Sequence, residues 1–246
     1  MKPETRRIVI LWAFITAALI ALSFLIPAAM PGAAANNEHQ VRLSMLVFMI
    51  IAAPVIALVV AIGVYSLVAW RVGHDDPPTE DGPPIRENAT ILATWLGVSS
   101  VLVLFLLVWG LAELQSASAN VAPGALVVNV TGQQWIWSFE YPNSTQSQEL
   151  VLPVDKPVLF NITSEDVVHG FWIPNFGVKA DANPGETTQI SVTPTQIGVF
   201  PIRCAELCGL YHAYMETTVK VVNQSEFDAW MASGAIPQSP SAPAGG

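Results

Sequence analysis

The chain has 246 residues, of which 52% are hydrophobic and only 12% are charged, and its formal net charge at pH 7 is -9. This apolar composition is typical of a membrane protein, and the negative charge argues against nucleic acid as a partner. Two cysteines cannot build a disulfide framework, but they allow one bridge, one metal site or two buried thiols.

Three long apolar runs occupy the first half of the chain, at residues 8–30, 43–70 and 90–111. Each run can cross a hydrocarbon core of about 30 Å as a helix, which takes roughly 20 residues. Pro54 lies inside the second run and predicts a kink there. We therefore expect membrane lipid around this region, with residues 43–115 forming a two-helix transmembrane hairpin.

The first apolar run, within residues 1–35, has two interpretations. Lys2, Arg6 and Arg7 precede it and the small-residue stretch PAAMPGAAA follows it, which is the layout of a secretory signal peptide. The run is long for a signal peptide, and its length favours a retained helix. The sequence leaves both interpretations open.

The distribution of Lys and Arg predicts the orientation in the membrane. If the N-terminus is cytoplasmic, the outer loop 31–42 carries a single basic residue, Arg42, and the inner segments carry five. The C-terminal region is then extracytoplasmic, on the outer side of the cell (plasma or inner) membrane. The Pro-rich segment GHDDPPTEDGPPIREN is predicted to be a solvated cytoplasmic turn.

The second half of the chain has a different pattern, made of short β-branched and aromatic runs separated by Pro, Gly, Asn and Asp. Several such runs in about a hundred residues predict a β-sandwich or barrel. Residues 116–232 are therefore expected to form an extracytoplasmic all-β domain that ends in a short helix, QSEFDAWMASG. The tail, residues 233–246, is predicted to be disordered.

One stretch, CAELCGLYHAYM, brings four soft donors together: Cys204, Cys208, His212 and Met215. Gly209 in its middle, and the strand-like sequence on both sides, favour a loop, which can turn several side chains toward one point. Thiolate, imidazole and thioether ligands together select copper over hard cations.

Two thiolates can bridge two copper ions, and such a site needs a second imidazole. His169, in SEDVVHGFWIP, is the obvious donor. A disulfide between Cys204 and Cys208 is the main alternative in an oxidising compartment, but it explains neither His212 nor Met215. Structural zinc is a further alternative, which a Met ligand disfavours.

The stretch CAELCGLYHAYM resembles the binuclear copper motif of cytochrome c oxidase subunit II, Cys-x-Glu-x-Cys-Gly-x-x-His-x-x-Met, and fills every fixed position. The segments DVVHGFWIP, VKADANPG and GQQWIWSFEYP resemble other parts of the same family. The similarity covers about residues 125–222 and the two preceding helices. It implies a membrane α-helical N-terminal region followed by an all-β C-terminal domain, a cupredoxin-like Greek-key β-barrel.

The resemblance implies a binuclear copper centre, CuA, with the following ligands: His169, Cys204, Glu206, Cys208, His212 and Met215. The two thiolates would bridge the copper ions, and each imidazole would bind one of them. The thioether would bind one copper ion and the backbone carbonyl of Glu206 the other. The Glu206 carboxylate would also reach a magnesium ion (Mg) at the boundary with subunit I.

Aromatic residues in strands are usually core residues. In the family, however, the first Trp of the stretch matching GQQWIW is the point at which cytochrome c delivers its electron, and this role carries over to Trp135. Trp137 ranks second, since it shares a sheet face with Trp135 if the strand is regular. Leu207 and Leu210 are expected to tune the redox potential by burying the sulfurs.

The implied function is that of the subunit through which electrons enter a membrane haem-copper terminal oxidase, cytochrome-c oxidase. Electrons would come from cytochrome c or a small copper protein and pass to haem in subunit I, where oxygen is reduced to water; subunit III is a further expected partner. The alternatives are the CuA subunit of a nitric-oxide reductase and a non-enzymatic copper-binding membrane protein. Glu87 lies near the family's proton-pathway entrance, but a solvated loop acid is the favoured interpretation.

Overall fold

The computed structural model describes four stretches of the chain: residues 3–30, 32–69, 88–118 and 123–233. Glu87, most of the predicted cytoplasmic turn and the predicted disordered tail after residue 233 lie outside them. The chain divides into two compact units: Met1–Ser23 with Met49–Ala119, and Phe24–Phe48 with Asn120–Gly246.

The described residues contain five α-helices: α1 (Pro3–Ser23), α2 (Ile26–Ala29), α3 (Asn37–Ala69), α4 (Ala89–Ser118) and α5 (Gln224–Ser233). The helices α1 and α3, and α4 as far as Gln115, are long and apolar enough to cross a membrane. Pro54 lies inside α3, and its carbonyl accepts a hydrogen bond of 2.8 Å from the indole N–H of Trp12 in α1. Both interpretations of residues 1–35, a retained helix and a signal peptide, stay predictions.

The described part of the second unit contains ten strands: β1 (Leu126–Gln133), β2 (Ile136–Glu140), β3 (Gln146–Ser147), β4 (Leu150–Pro153), β5 (Val158–Ser164), β6 (His169–Ile173), β7 (Val178–Ala182), β8 (Thr188–Val192), β9 (Gly198–Cys204) and β10 (Glu216–Val222). They form two five-stranded sheets, with strand orders β3-β2-β1-β5-β8 and β4-β10-β9-β6-β7. β1 pairs with β5 in parallel, as β4 does with β10. The predicted fold class, membrane helices followed by an all-β cupredoxin-like domain, is confirmed.

Alternating burial along the strands builds a core between the two sheets. In β1, Leu126, Val128 and Val130 are buried, since successive side chains of a strand point to opposite faces. Across the core, the Phe171 ring of β6 packs edge-on against Trp137 at 5.4 Å and Phe160 at 5.5 Å. Burial of apolar surface contributes about 25 cal/mol per Å², so these aromatic rings anchor the strand that begins at His169.

Three strands escape prediction from the sequence: β3, β6 and β7. In β6 every residue except Trp172 is buried, so the strand lacks the alternation of apolar and polar residues that reveals a half-buried strand. Gly170 and Pro174 also interrupt or end the apolar run, as they do in loops.

The predicted closing helix is confirmed as α5, and Asn223 caps it. The Asn223 side-chain oxygen accepts the N–H of Glu226 at 2.9 Å, and the Glu226 carboxylate accepts the N–H of Asn223 at 3.3 Å, which is a reciprocal capping box. The helix buries Phe227 and Trp230. The Trp230 ring lies 4.7 Å from the ring of Tyr141.

The buried hydroxyl of Tyr141 forms hydrogen bonds with the main chain of Val151, as a neighbouring strand would. It donates to the Val151 carbonyl at 2.9 Å and accepts the Val151 N–H at 2.8 Å. Burial raises the pKa of Tyr141 well above its ordinary value of 10.0, although the hydrogen bond with Val151 opposes this rise. The un-ionised Tyr141 hydroxyl therefore contributes to the free energy of unfolding. Since the phenol of the unfolded chain ionises near pH 10, this contribution is complete below pH 10 and is lost as the pH rises above it.

Tyr141→Phe is expected to lower the free energy of unfolding by roughly 1–3 kcal/mol at pH 7, because it leaves two buried main-chain groups of Val151 unpaired. The difference should shrink above pH 10. Denaturant unfolding followed by tryptophan fluorescence measures both effects. Tyr214→Phe, at a position 80% exposed, is the control and should leave stability unchanged. Equal stability of Tyr141→Phe and the unmodified chain at pH 7 would contradict the account.

Candidate metal centre

Two neighbouring strands of one sheet bring His169 and Cys204 together. His169 is the first residue of β6 and Cys204 the last of β9, and these strands pair antiparallel. The N–H of Ala205 donates to the Gly170 carbonyl at 2.9 Å. A Cβ atom on Gly170 would lie 3.0 Å from the Ala205 main chain, so glycine permits this close approach of the two strands.

The loop from β9 to β10 returns Met215 to the side of Cys204. The N–H of Cys204 donates to the Met215 carbonyl at 3.1 Å, and the N–H of Met215 donates to the His212 carbonyl at 3.2 Å. A short 3-10 turn, His212–Tyr214, makes the final bend. The prediction that this motif lies on a loop between two strands is confirmed.

Five side-chain donor atoms, the two cysteine sulfurs among them, lie close together. The Sγ atoms of Cys204 and Cys208 are 3.7 Å apart. Cys204 Sγ lies 3.9 Å from His169 Nδ1, and Cys208 Sγ lies 3.6 Å from His212 Nδ1 and 3.8 Å from Met215 Sδ. The structure thus brings all five predicted side-chain ligands to one place.

Glu206 presents its carbonyl and its carboxylate in different directions. Its carbonyl oxygen lies 3.2 Å from Cys204 Sγ, beside the other donors. Its carboxylate is partly exposed and lies 3.5 Å from Lys179 Nζ. The carbonyl therefore belongs to the donor cluster, and the carboxylate faces outward.

The donor set fits a soft metal ion better than a disulfide. Both cysteines are free, and their sulfurs are farther apart than the bond length of about 2.0 Å that a disulfide requires. His169, Cys204 and Cys208 are buried, with ligand atoms within 4.8 Å of one another, and can hold a metal ion. Burial, and then the neighbouring Cys204 thiol, raise the pKa of Cys208 to about 11. Coordination to a cation would supply the positive charge that a buried thiolate needs.

Asp166 fixes the orientation of the His169 ring. Its Oδ1 lies 2.8 Å from His169 Nε2, so Nδ1 is the nitrogen that faces the sulfurs. Burial alone would raise the pKa of Asp166, but hydrogen bonds from His169 and from the N–H groups of Gln134 and Val167 outweigh it and lower the pKa to about 2. A carboxylate on the far nitrogen of a ligating imidazole is a recurrent feature of metal sites.

Trp135 and Trp137 do not share a sheet face, which corrects the expectation from a regular strand. Trp135 lies in the turn between β1 and β2, half-buried, with its ring edge-on to Tyr211 at 4.7 Å. Trp137 lies on β2 and is 2% exposed, 5.9 Å from the His169 ring. Trp137 is thus a core residue. The two tryptophans differ in direction because β2 begins only at Ile136, so Trp135 is not part of the regular strand.

The expectation that Leu207 and Leu210 bury the sulfurs is wrong. They are 85% and 82% exposed, because the loop turns the donor side chains inward and leaves the intervening ones outside. The sulfurs are buried instead by the domain core, in which Met215 is fully enclosed.

Sequence reasoning missed Asp166 and Gln134. An Asp three residues before a candidate His ligand is a usable signal, since ligating histidines commonly bond a carboxylate. Gln134 offers no such signal, because its side-chain N–H donates at 2.7 Å to the carbonyl of Cys208, which is 74 residues away in the chain.

Comparisons with known proteins find similarity to one family. A family model described as cytochrome C oxidase subunit II, periplasmic domain, matches residues 145–222. Cytochrome c oxidase subunit 2 of Synechocystis sp. is 30% identical over 255 residues, which cover 84% of this chain and 76% of that protein. The Bacillus subtilis subunit 2 is 35% identical over 177 residues, 65% of this chain and about half (48%) of that protein. A similar solved structure is the crystal structure of the periplasmic domain of subunit II of cytochrome oxidase of Bradyrhizobium japonicum. Its sequence is 33% identical, its TM-score is 0.45, and the match covers 46% of this chain and 96% of that domain.

Asp166→Asn is expected to weaken copper binding by about 10- to 100-fold, because the His169 ring loses its charged hydrogen-bond partner. A competition titration against a copper chelator measures the affinity. Glu165→Gln, at the exposed neighbouring position, removes the same charge without touching His169 and should bind copper normally. Equal affinities for the two variants would contradict the role of Asp166.

Proposed function

The chain belongs to the cytochrome c oxidase subunit II family, and on that premise we propose that its β domain holds a binuclear copper centre, CuA, through which electrons enter a haem-copper oxidase. The observation that carries the proposal is the pair of buried sulfurs, 3.7 Å apart, with an imidazole beside each. Two adjacent thiolates would be able to hold two copper ions close together.

The ligand set that we propose is the following: His169, Cys204, Glu206 through its carbonyl, Cys208, His212 and Met215. When bound, the copper pair would accept and release one electron. The chain's own part is to hold the ligands still. Strand pairing fixes His169 and Cys204, and the Cys204 N–H bond to the Met215 carbonyl closes the loop, so the donors need to move little when the charge changes.

Trp135 is the residue at which we propose that electrons arrive. Its ring is half-buried and packs against the partly exposed Tyr211 ring. Trp135 also follows directly on Gln134 in the sequence, and the Gln134 side chain is hydrogen-bonded to Cys208. Its indole N–H has no hydrogen-bond partner among the described residues. The donor would be cytochrome c or a small copper protein.

The proposal includes the setting of the subunit. Electrons would pass to haem in subunit I, with subunit III as a further neighbour, in the cell membrane with the β domain on the extracytoplasmic side. The outward-facing carboxylate of Glu206 would reach magnesium at the boundary with subunit I. The domain organisation proposed is 1–35 (first apolar segment), 43–115 (helix hairpin), 116–232 (CuA domain) and 233–246 (tail).

Copper loading of the full chain in detergent tests the binuclear centre. We expect two copper ions per chain, a purple colour and a multi-line EPR signal from one electron shared by both ions. His212→Ala should abolish the shared signal, because one copper ion loses its imidazole, whereas His39→Ala, at an exposed position in α3, should keep it. One copper ion with a blue single-ion signal, or none with Cys204 bonded to Cys208, would refute the proposal.

Trp135→Phe is expected to slow reduction of the centre by its donor at least about tenfold, equivalent to about 1.4 kcal/mol in the barrier, because the indole ring between donor and centre is lost. Stopped-flow reduction of the assembled oxidase measures the rate. Trp172→Phe, at a position 36% exposed on β6, is the matched control. Equal rates for both variants would exclude Trp135 as the site where electrons arrive.

A further inference from the structure

Gln134 connects the two segments that carry the proposed ligands. Its side-chain N–H donates to the Cys208 carbonyl at 2.7 Å. Its main-chain N–H donates at 2.8 Å to Oδ2 of Asp166, whose Oδ1 holds the His169 ring. One residue in the turn between β1 and β2 is therefore bonded to the cysteine loop and, through Asp166, to the first histidine.

Gly209 provides the space that this arrangement requires. Its φ of +123° is a conformation that residues with a Cβ rarely adopt. A Cβ atom there would lie 2.9 Å from Gln134 Nε2 and 3.4 Å from the Trp135 ring. The glycine after Cys208 thus lets the Gln134 side chain reach the main chain of the loop.

We propose that Gln134 is a positioning residue of the metal centre. By holding the Cys208 carbonyl, it fixes the loop so that the Cys208 sulfur faces His212 and Met215. Because Trp135 is the next residue, the same hydrogen bond keeps the indole at a constant distance from the loop. The effect on copper rests on the function proposed above, whereas the effect on the loop does not.

Its bond to the cysteine loop separates Gln134 from an ordinary surface glutamine. Its bond to Cys208 is partly buried, so the loss of the donor would leave a carbonyl short of a partner. Gln133, one residue earlier, is exposed at the end of β1 and lines a different surface pocket with Glu140 and Glu165. The chain therefore contains a matched control of the same residue type at the adjacent position.

The test compares Gln134→Met with Gln133→Met in the full chain purified in detergent. Methionine keeps the length of the side chain and removes the donor. In the copper-free protein, amide hydrogen exchange in residues 205–211 should rise about fivefold in Gln134→Met, the factor expected for one lost hydrogen bond. In the copper-loaded protein, the EPR hyperfine pattern and the reduction potential should both shift. Gln133→Met should leave all three unchanged.

Each outcome has a definite meaning. Unchanged exchange and an unchanged spectrum in Gln134→Met would overturn the proposal, and so would faster exchange with an unchanged spectrum and potential, since Gln134 would then only stabilise the loop. If the unmodified chain fails to give the two-copper signal, the proposed function fails, and the copper-free exchange still decides whether Gln134 holds the loop.

A second variant keeps the test independent of how Gln134→Met folds. Gly209→Ala leaves Gln134 in place but fills its space, so it should shift the same exchange rates and spectrum. The effect of the double variant should be smaller than the sum of the two single effects, because both substitutions remove the same contact between Gln134 and the loop. Strict additivity would show that Gly209 and Gln134 act separately and would contradict the proposal.

Discussion

The burial of two thiols side by side is the constraint on which the rest of this structure depends. Cys204 and Cys208 lie 3.7 Å apart, and burial together with the neighbouring Cys204 thiol raises the pKa of Cys208 to about 11. Two thiolates in such a place repel each other and lack water, so they are stable only with a bound cation. Imidazole and thioether donors beside them make copper the cation that fits best. The buried thiolates are therefore unstable without a metal ion, and metal binding stabilises them.

The β domain supplies the rigidity that such a centre requires. His169 and Cys204 lie on paired strands, and the aromatic core behind Phe171 fixes the first of them. The remaining donors lie on a loop that would move freely if it were held only at its ends. The hydrogen bond from Gln134 crosses to the middle of this loop, and the strand pair and the loop together define one set of donor positions.

Most of the centre could be predicted from sequence because most of it is local. Four donors lie within one twelve-residue stretch. The fifth donor, His169, could be identified because the chain has only four histidines. Most strands were found, including β4, which is buried throughout, whereas β6 was missed because Gly170 and Pro174 interrupt or end its apolar run. The errors at Leu207 and Trp137 have a common origin, since a side chain's direction depends on the path of the loop and on where the strand begins. Gln134 was out of reach because its partner is fixed only by tertiary structure.

X-ray absorption at the copper edge of the full chain loaded with copper would show directly whether the two thiols hold a copper pair. Sulfur and nitrogen neighbours around each copper ion, together with a second copper ion as a close neighbour, are the expected result, because the two adjacent sulfurs of Cys204 and Cys208 would bridge the ions. Copper surrounded only by nitrogen and oxygen, or by sulfur without a copper neighbour, would contradict a binuclear centre.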